Sequence, residues 1–276
     1  MVSKLMPIRA VKEEGMRASG YPIMVAALAA TLSATLQGQA LDATQVLAAA
    51  RVALGGEKKL SAVKTFTATG RTRQIRGSNL VPIEFEMNCE LPDKFVRTDE
   101  FPAQDTDPTT LGFTGDDLIQ VPPLPSGAGR RGGPPPLTPA QRVAAVKQDF
   151  VRLTLGMFAT SFSSYPLTFK YAAQGEAPEG KADILDVAGP GNFSARLVVQ
   201  RDTHLPVMLM WQIPATTGQA KPIDYRLYYG DFRDVDGVKW PFRLRRAIAG
   251  ETIEETIFDR IRINAKIDPR KFEAPR

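Results

Sequence analysis

The stretch DFRDVDG, Asp231 to Gly237, is the acidic cluster of this chain that most resembles a metal or acid/base site. An EF-hand calcium loop needs oxygen ligands at its first, third and fifth positions, glycine at the sixth and glutamate at the twelfth. With Gly237 at the sixth position, Phe232 falls on the first and Arg243 on the twelfth. Two ligand positions therefore hold an apolar side chain and a cation, and we expect no calcium or other metal here.

The same segment fits a β-hairpin. Asp236-Gly237 is a favoured pair for a two-residue type I′ turn, and Gly230-Asp231 permits a bulge in the preceding strand. Apolar residues alternate with polar ones on both sides of this turn: Tyr225, Leu227 and Tyr229 before it, and Val238, Trp240, Phe242 and Leu244 after it. DFRDVDG is therefore predicted to be a turn between two strands.

The remaining candidates for catalysis are few. His204 is the only histidine, and it lies in QRDTHLPV between two strand patterns, where an exposed turn residue is expected. A serine or cysteine triad would depend on it, and no G-x-S-x-G elbow accompanies it. Cys89 continues the apolar series of a strand, so we expect a buried structural thiol. A pair of carboxylates, as glycosidases use, stays open, because separated strands do not show which carboxylates face each other.

Residues 121–137, VPPLPSGAGRRGGPPPL, contain too many prolines and glycines for a helix or a strand. They include G-x-G-x-x-G at Gly127, Gly129 and Gly132. A dinucleotide-binding fingerprint requires a strand before this motif and a helix directly after it, whereas three prolines follow here. We predict a surface loop without a nucleotide site.

The N-terminal 40 residues resemble a secretory signal peptide. The apolar run YPIMVAALAATLSATL follows Arg17 and precedes Gly38-Gln39-Ala40, and it is shorter than the roughly 20 residues that a membrane span requires. We expect cleavage after Ala40 and a periplasmic mature chain, with Met16 as an alternative start because forty residues is long for a signal. An uncleaved anchor is the other possibility. No cysteine follows the cleavage site, which argues against a lipid anchor.

Composition indicates a globular protein, with 43% hydrophobic and 24% charged residues. Removing residues 1–40 lowers the formal charge from +5 to +3. This small excess, without clustered basic residues, predicts no nucleic-acid partner. Cys89 is the only cysteine, so the mature chain, residues 41–276, must be stabilised by its core rather than by an internal disulfide.

Helical periodicity is confined to two regions. Asp42 and Gln45 resemble a capping box before a helix at about 43–54, and a short helix is expected over 57–62. Thr138-Pro139 begins a longer helix at 138–160. Its apolar residues recur at steps of three and four: Val143, Val146, Phe150, Leu153 and Met157.

The rest of the chain alternates with a period of two, which predicts about eleven antiparallel strands. They are TFTATGRTRQI, VPIEFEMNCEL, DKFVRTDEF, GFTGDDLIQV, LTFKYAA, ADILDVAG, FSARLVVQRD, PVMLMWQI, IDYRLYYGDF, VKWPFRLRRAIA and TIEETIFDRIRIN. So many strands in one sheet are expected to curl. The predicted fold class is α+β, mainly antiparallel β: a strongly curved sheet or open half-barrel covered on one face by two or three helices.

Several of these segments resemble exported proteins of the LolA/LolB-type lipoprotein carriers. The similarity lies in LVVQRDTHLPVMLMWQ, IDYRLYYGDFRDVDGVKWPFRL and TIFDRIRINAKIDPRKFEAP, and in AARVALGGEKKLSAVKTFTATG as the opening helix and strand. The resemblance implies an open half-barrel whose apolar interior accepts the acyl chains of lipids or lipoproteins. It implies no cofactor and no enzymatic activity, and envelope membrane proteins as partners.

Large apolar residues on one face of the strands and helix would line such a cavity. The candidate ligand-binding residues are Phe85, Met87, Phe150, Leu153, Met157, Trp211, Trp240 and Phe242. Two alternatives remain at this stage: a non-enzymatic envelope sensor or scaffold that binds a protein partner, and a hydrolase that depends on carboxylates.

Overall fold

Three α-helices and twelve strands make up the part of the chain that the computed structural model describes, namely residues 42–123, 137–178, 180–214 and 221–273. These ranges belong to one compact unit of the chain. The expected signal peptide at 1–40 and nearly all of the expected loop at 121–137 lie outside the described residues. Within the described ranges, no helix has both the length and the apolar character of a membrane span.

The helices lie where the capping signals predict them. They are α1 (Ala43–Ala53), α2 (Glu57–Ala62) and α3 (Pro139–Phe158), and a short 3₁₀ helix follows at Pro269–Phe272. Asp42 and Thr138 both form full capping boxes with the glutamine three residues later, which satisfies free backbone N–H groups at each helix start.

The strands are β1 (Thr65–Arg76), β2 (Asn79–Glu90), β3 (Lys94–Glu100), β4 (Thr109–Thr114), β5 (Asp117–Val121), β6 (Thr168–Ala177), β7 (Gly180–Gly189), β8 (Phe193–Gln200), β9 (Pro206–Ile213), β10 (Ile223–Val235), β11 (Val238–Ile248) and β12 (Glu251–Ile263). They form one open antiparallel sheet in the order β5-β4-β3-β2-β1-β12-β11-β10-β9-β8-β7-β6. The predicted α+β fold class is therefore confirmed.

The strand count differs from the prediction by one. GFTGDDLIQV counts as one strand in the sequence prediction, with Gly115-Asp116 as a turn within it, and this two-residue turn folds the two halves of the segment against each other as separate strands. Thr114 pairs directly with Asp117 across this turn, and Gly115 has a φ of +57°. The segment therefore supplies parts of both β4 and β5.

The sheet curves around α3. The Phe150 ring lies 5.1 Å from the Phe95 ring in β3, and the Arg152 guanidinium lies 4.7 Å from the Trp211 ring in β9. These two helix residues are only about 3 Å apart along the helix axis. Because β3 and β9 are six strand spacings apart, a flat sheet would separate them by roughly 29 Å. Curvature brings both strands to the same helix.

DFRDVDG forms the β10–β11 hairpin. Asp236 and Gly237 have φ values of +52° and +82°, as a type I′ turn requires, and the Asp234 carboxylate accepts a hydrogen bond of 2.9 Å from the Gly237 N–H. The β10–β11 register is the same on both sides of Asp231, so the bulge that Gly230-Asp231 would permit does not form; Asp231 has a φ of +54°, and its carboxylate binds the Arg233 guanidinium. The predicted turn is confirmed, and these carboxylates are occupied by protein groups.

The α1–α2 junction packs on this hairpin turn. The Lys239 N–H donates a 2.8 Å hydrogen bond to the Leu54 carbonyl, and Gly55 lies so close to the Gly237 carbonyl that a Cβ at Gly55 would collide with it. The Arg51 guanidinium also donates to the carbonyl of Phe158, at the end of α3. This end of the curved sheet is therefore closed by helices and filled by core side chains.

The thiol of Cys89 provides a test of the strand assignment. Cys89 is fully buried in β2, and burial raises the pKa of its thiol well above the usual value. We expect iodoacetamide to label the native protein at least on the order of 100-fold more slowly than the urea-unfolded protein, because attack requires an exposed thiolate. No other thiol is present, so mass spectrometry of the intact chain measures this directly. Equal labelling rates would contradict the burial of β2.

A close contact between α3 and β10 provides a second test. A Cβ at Gly156 would enter the buried ring of Tyr229, whose hydroxyl donates to the Arg152 carbonyl. Gly156→Ala should therefore lower the free energy of unfolding by about 1–3 kcal/mol, as overpacking does. Tyr229→Leu in the same chain should reduce the penalty of the alanine. Helix propensity alone predicts a gain of stability for Gly156→Ala, so a stabilised variant would refute the contact.

Candidate ligand-binding cavity

A cavity of about 180 Å³ lies between α3 and the inner face of the sheet, and it is not fully enclosed. Strands from both halves of the sheet contribute to it, because curvature brings them to the same helix. Its apolar lining residues are Met87, Phe95, Leu111, Val146, Phe150, Leu153, Leu227 and Leu244. Its polar lining residues are Arg97, Asp99, Thr109, Asp149, Arg246, Glu254 and Thr256.

Helix α3 forms one wall because its buried stripe faces the sheet. Val146, Phe150 and Leu153 follow each other at steps of four and three, so their side chains lie on one face of the helix. Phe150 packs against Phe95 and Phe113 with ring centroids 5.1 and 5.5 Å away. This aromatic cluster fixes the helix against β3 and β4 and leaves the cavity beside it.

Three of the eight predicted ligand-binding residues line the cavity: Met87, Phe150 and Leu153. The other five, which are Phe85, Met157, Trp211, Trp240 and Phe242, are buried residues outside its lining. Trp240 is fully buried between the rings of Phe66 and Phe158, at centroid distances of 5.2 and 5.3 Å. Its surroundings are thus closed by the protein's own side chains.

The remaining four residues also have protein partners. Phe85 packs edge-on against Phe258 at 5.6 Å. Trp211 stacks on Tyr225 at 5.4 Å, and Phe242 lies 4.7 Å from the Arg233 guanidinium. Met157 belongs to the main core cluster. These contacts support the walls of the half-barrel, and the cavity lies away from the β10–β11 turn.

The polar side chains of the cavity were not expected from the sequence. Arg97 binds Asp99 at 2.6 Å, donates to the Thr72 hydroxyl at 3.0 Å and lies over the Phe85 ring. Thr72 and Thr256 share a hydrogen bond of 2.8 Å in the interior. The inner face therefore combines an apolar floor with a polar side.

One signal in the sequence indicates the inward position of Arg246. Phe242 and Leu244 are buried on the inner face of β11, and continuing the period of two places Arg246 on the same face. The RLRRAIA segment holds two outward arginines, Arg243 and Arg245, and this third arginine breaks their phase. A charged residue in phase with core positions indicates a candidate site, because charged side chains are seldom buried unless they are paired.

The cavity carboxylates do not form a free pair. Asp99 is bound by Arg97, and Asp149 is bound by Arg152 at 2.8 Å. Glu254 is the third carboxylate of the lining. An acid/base pair of the glycosidase type needs two carboxyls that both face the substrate and differ in protonation. Two of the three are engaged by arginine here, so the geometry does not favour hydrolysis.

The other candidates for chemistry lie away from the cavity. His204 is an exposed turn residue with a φ of +57°, and Cys89 is fully buried. Within the described ranges, no three His, Cys, Asp or Glu side chains lie close enough together to hold a metal ion. The arrangement as a whole offers an apolar space with a few fixed charges, which is the usual character of a small-molecule binding site.

Comparison with known proteins gives matches in structure alone. No family profile and no curated protein sequence matches the chain. The LolA superfamily protein NE2245 from Nitrosomonas europaea has a TM-score of 0.55 and 13% identity, covering 85% of this chain and 98% of that one.

Two further solved structures are similar at lower scores. A putative outer membrane lipoprotein-sorting protein domain from Vibrio parahaemolyticus has a TM-score of 0.49 and 8% identity, over 83% of this chain and 97% of that chain. A DUF1329 family protein from Desulfovibrio piger has a TM-score of 0.47 and 8% identity, over 84% and 97%. The similarity to NE2245, together with the open antiparallel sheet and its helices, shows that this chain has a LolA-like fold.

Proposed function

We propose that this protein is an exported, non-enzymatic carrier that binds acyl chains of lipids or lipoproteins in the cavity beneath α3. The observation that carries this proposal is the apolar floor of a cavity that the curved sheet and the helix leave open. Burial contributes about 0.8 kcal/mol for each methylene that leaves water, which offsets the entropy lost on association. Binding of this kind requires no cofactor.

Met87, Phe150 and Leu153 are the proposed ligand contacts among the residues predicted from sequence. Leu227 and Leu244 extend the same surface on β10 and β11. We propose that the other five predicted residues contribute to binding indirectly, because their packing supports the walls of the half-barrel. The LolA-like fold and the resemblance of the hairpin segments support lipid or lipoprotein cargo, and envelope membrane proteins as donor and acceptor.

Methionine 87 offers a near-isosteric test of acyl binding. Met87→Gln places an amide in the apolar wall, and we expect it to weaken binding of a fluorescent fatty acid about 5- to 30-fold, equivalent to about 1–2 kcal/mol. Met208→Gln is the matched control. Met208 is 6% exposed, against 3% for Met87, and belongs to a separate apolar cluster. Thermal unfolding of both variants separates lost binding from lost stability.

Several outcomes would contradict the proposal. One is that Met87→Gln and Met208→Gln bind the probe equally well, and another is that the wild-type protein does not bind it at all. Extraction of the purified protein followed by mass spectrometry should also release lipids. A cavity that is empty after purification and rejects the probe would favour the alternative of a sensor or scaffold that binds a protein partner.

The localisation proposal has its own test. We propose that residues 1–40 are a signal peptide and that the mature protein, residues 41–276, is periplasmic. N-terminal sequencing of the protein recovered from the periplasmic fraction should therefore begin at Leu41, because cleavage is expected after Ala40. Recovery of the full-length chain in the membrane fraction would indicate an uncleaved anchor instead.

A further inference from the structure

Two oppositely charged side chains that line the cavity form no ion pair within the described ranges. Arg246 of β11 and Glu254 of β12 lie directly opposite each other in the antiparallel pairing, and both line the cavity. The Arg246 Nε is enclosed and has no hydrogen-bond partner among the described residues. Neither side chain forms an ion pair with any residue in those ranges, including with the other.

The neighbouring charges are already compensated. Arg97 and Asp99 form an ion pair, and so do Asp149 and Arg152 of α3. The Arg152 guanidinium also lies over the Trp211 ring. Among the charged lining residues, Arg246 and Glu254 are thus the two without an ion pair in the described part of the chain. They stand on adjacent strands at the polar side of an otherwise apolar cavity.

An enclosed guanidinium N–H without an acceptor is unfavourable, since leaving a charged donor unsatisfied costs more than leaving a neutral one. A ligand that supplies both a phosphate and an ammonium would satisfy the two side chains together. Guanidinium binds phosphate oxygens in a bidentate geometry, and a carboxylate accepts charge-assisted hydrogen bonds from an ammonium. A purely anionic headgroup would be repelled by Glu254, and an uncharged one would leave both charges unsatisfied.

We propose that the cavity binds a phospholipid with a zwitterionic headgroup, its phosphate on Arg246 and its ammonium on Glu254. The acyl chain then lies on the apolar floor formed by Met87, Phe150 and Leu153. This inference rests on the proposed acyl-binding function and specifies the class of lipid.

Three ligands with the same acyl chain test the proposal: lysophosphatidylethanolamine, lysophosphatidic acid and monoacylglycerol. The wild-type protein should bind the zwitterionic lipid at least about fivefold more tightly than the other two. Arg246→Gln should weaken both phosphate-containing lipids about tenfold and leave monoacylglycerol unchanged, because only the phosphate loses its partner. Glu254→Gln should weaken lysophosphatidylethanolamine and strengthen lysophosphatidic acid, because repulsion of the anion is removed.

The adjacent positions supply matched controls. Arg245 and Glu255 also lie opposite each other in β11 and β12, one residue out of phase and therefore on the outer face. Arg245→Gln and Glu255→Gln should leave all three affinities within twofold of wild type. Glycerophosphoethanolamine, which has the headgroup without the chain, should not bind at the concentrations that saturate the lipid.

The outcomes separate this inference from the function on which it rests. If none of the three lipids binds, the acyl-carrier proposal fails. If all three bind with equal affinity, or if Arg246→Gln weakens monoacylglycerol as much as the phospholipids, acyl binding stands and the zwitterionic site is refuted. Binding of glycerophosphoethanolamine as tight as that of the lipid would also overturn it, since the site would then recognise a small polar molecule.

Discussion

The contact between Gly156 and Tyr229 determines how α3 lies in the curved sheet. The Tyr229 ring is buried against the glycine, and its hydroxyl donates to the Arg152 carbonyl one turn earlier. Burial raises the pKa of this phenol, so it remains a neutral donor. A side chain at position 156 would push the helix away from β10. The sheet therefore touches the helix near its C-terminal end, and the cavity lies beside the preceding turns.

Arginine side chains between the sheet and α3 are compatible with this packing because they lie against aromatic rings. The Arg97 guanidinium lies 4.5 Å from the Phe85 ring, and Arg152 lies 4.7 and 5.4 Å from the rings of Trp211 and Phe193. Cation–π contacts and ion pairs each contribute little where water has access, on the order of 1 kcal/mol or less. Their effect here is geometric: they hold long side chains along the walls and keep them out of the central space.

The period of the apolar residues and the helix-capping signals were sufficient to predict most of the fold, but they predicted only part of the site. Alternation placed Met87 and Trp240 on the inner face, and both side chains do lie there. Alternation cannot show whether the facing space is filled, since that depends on residues distant in sequence. Phe66 of β1 and Phe158 of α3 fill the space over Trp240, whereas Met87, which is also buried, borders the cavity. The same alternation, continued from Leu244 to Arg246, places Arg246 on the inner face. That its Nε has no hydrogen-bond partner among the described residues depends on residues distant in sequence, which alternation does not show.

The unpaired charges also bear on why the cavity stays open. Moving a charge from water into a dry interior is strongly unfavourable, so side chains cannot close over Arg246 and Glu254 unless a partner compensates them. A core made only of leucine and phenylalanine would be free to collapse to the packing density of protein interiors. A polar side therefore keeps part of the half-barrel accessible to water. For the proposed carrier function this arrangement has a second effect, because a volume of about 180 Å³ with one polar side limits the number of methylenes that leave water. Limited burial restricts affinity, and a cargo held with restricted affinity can be passed to an acceptor.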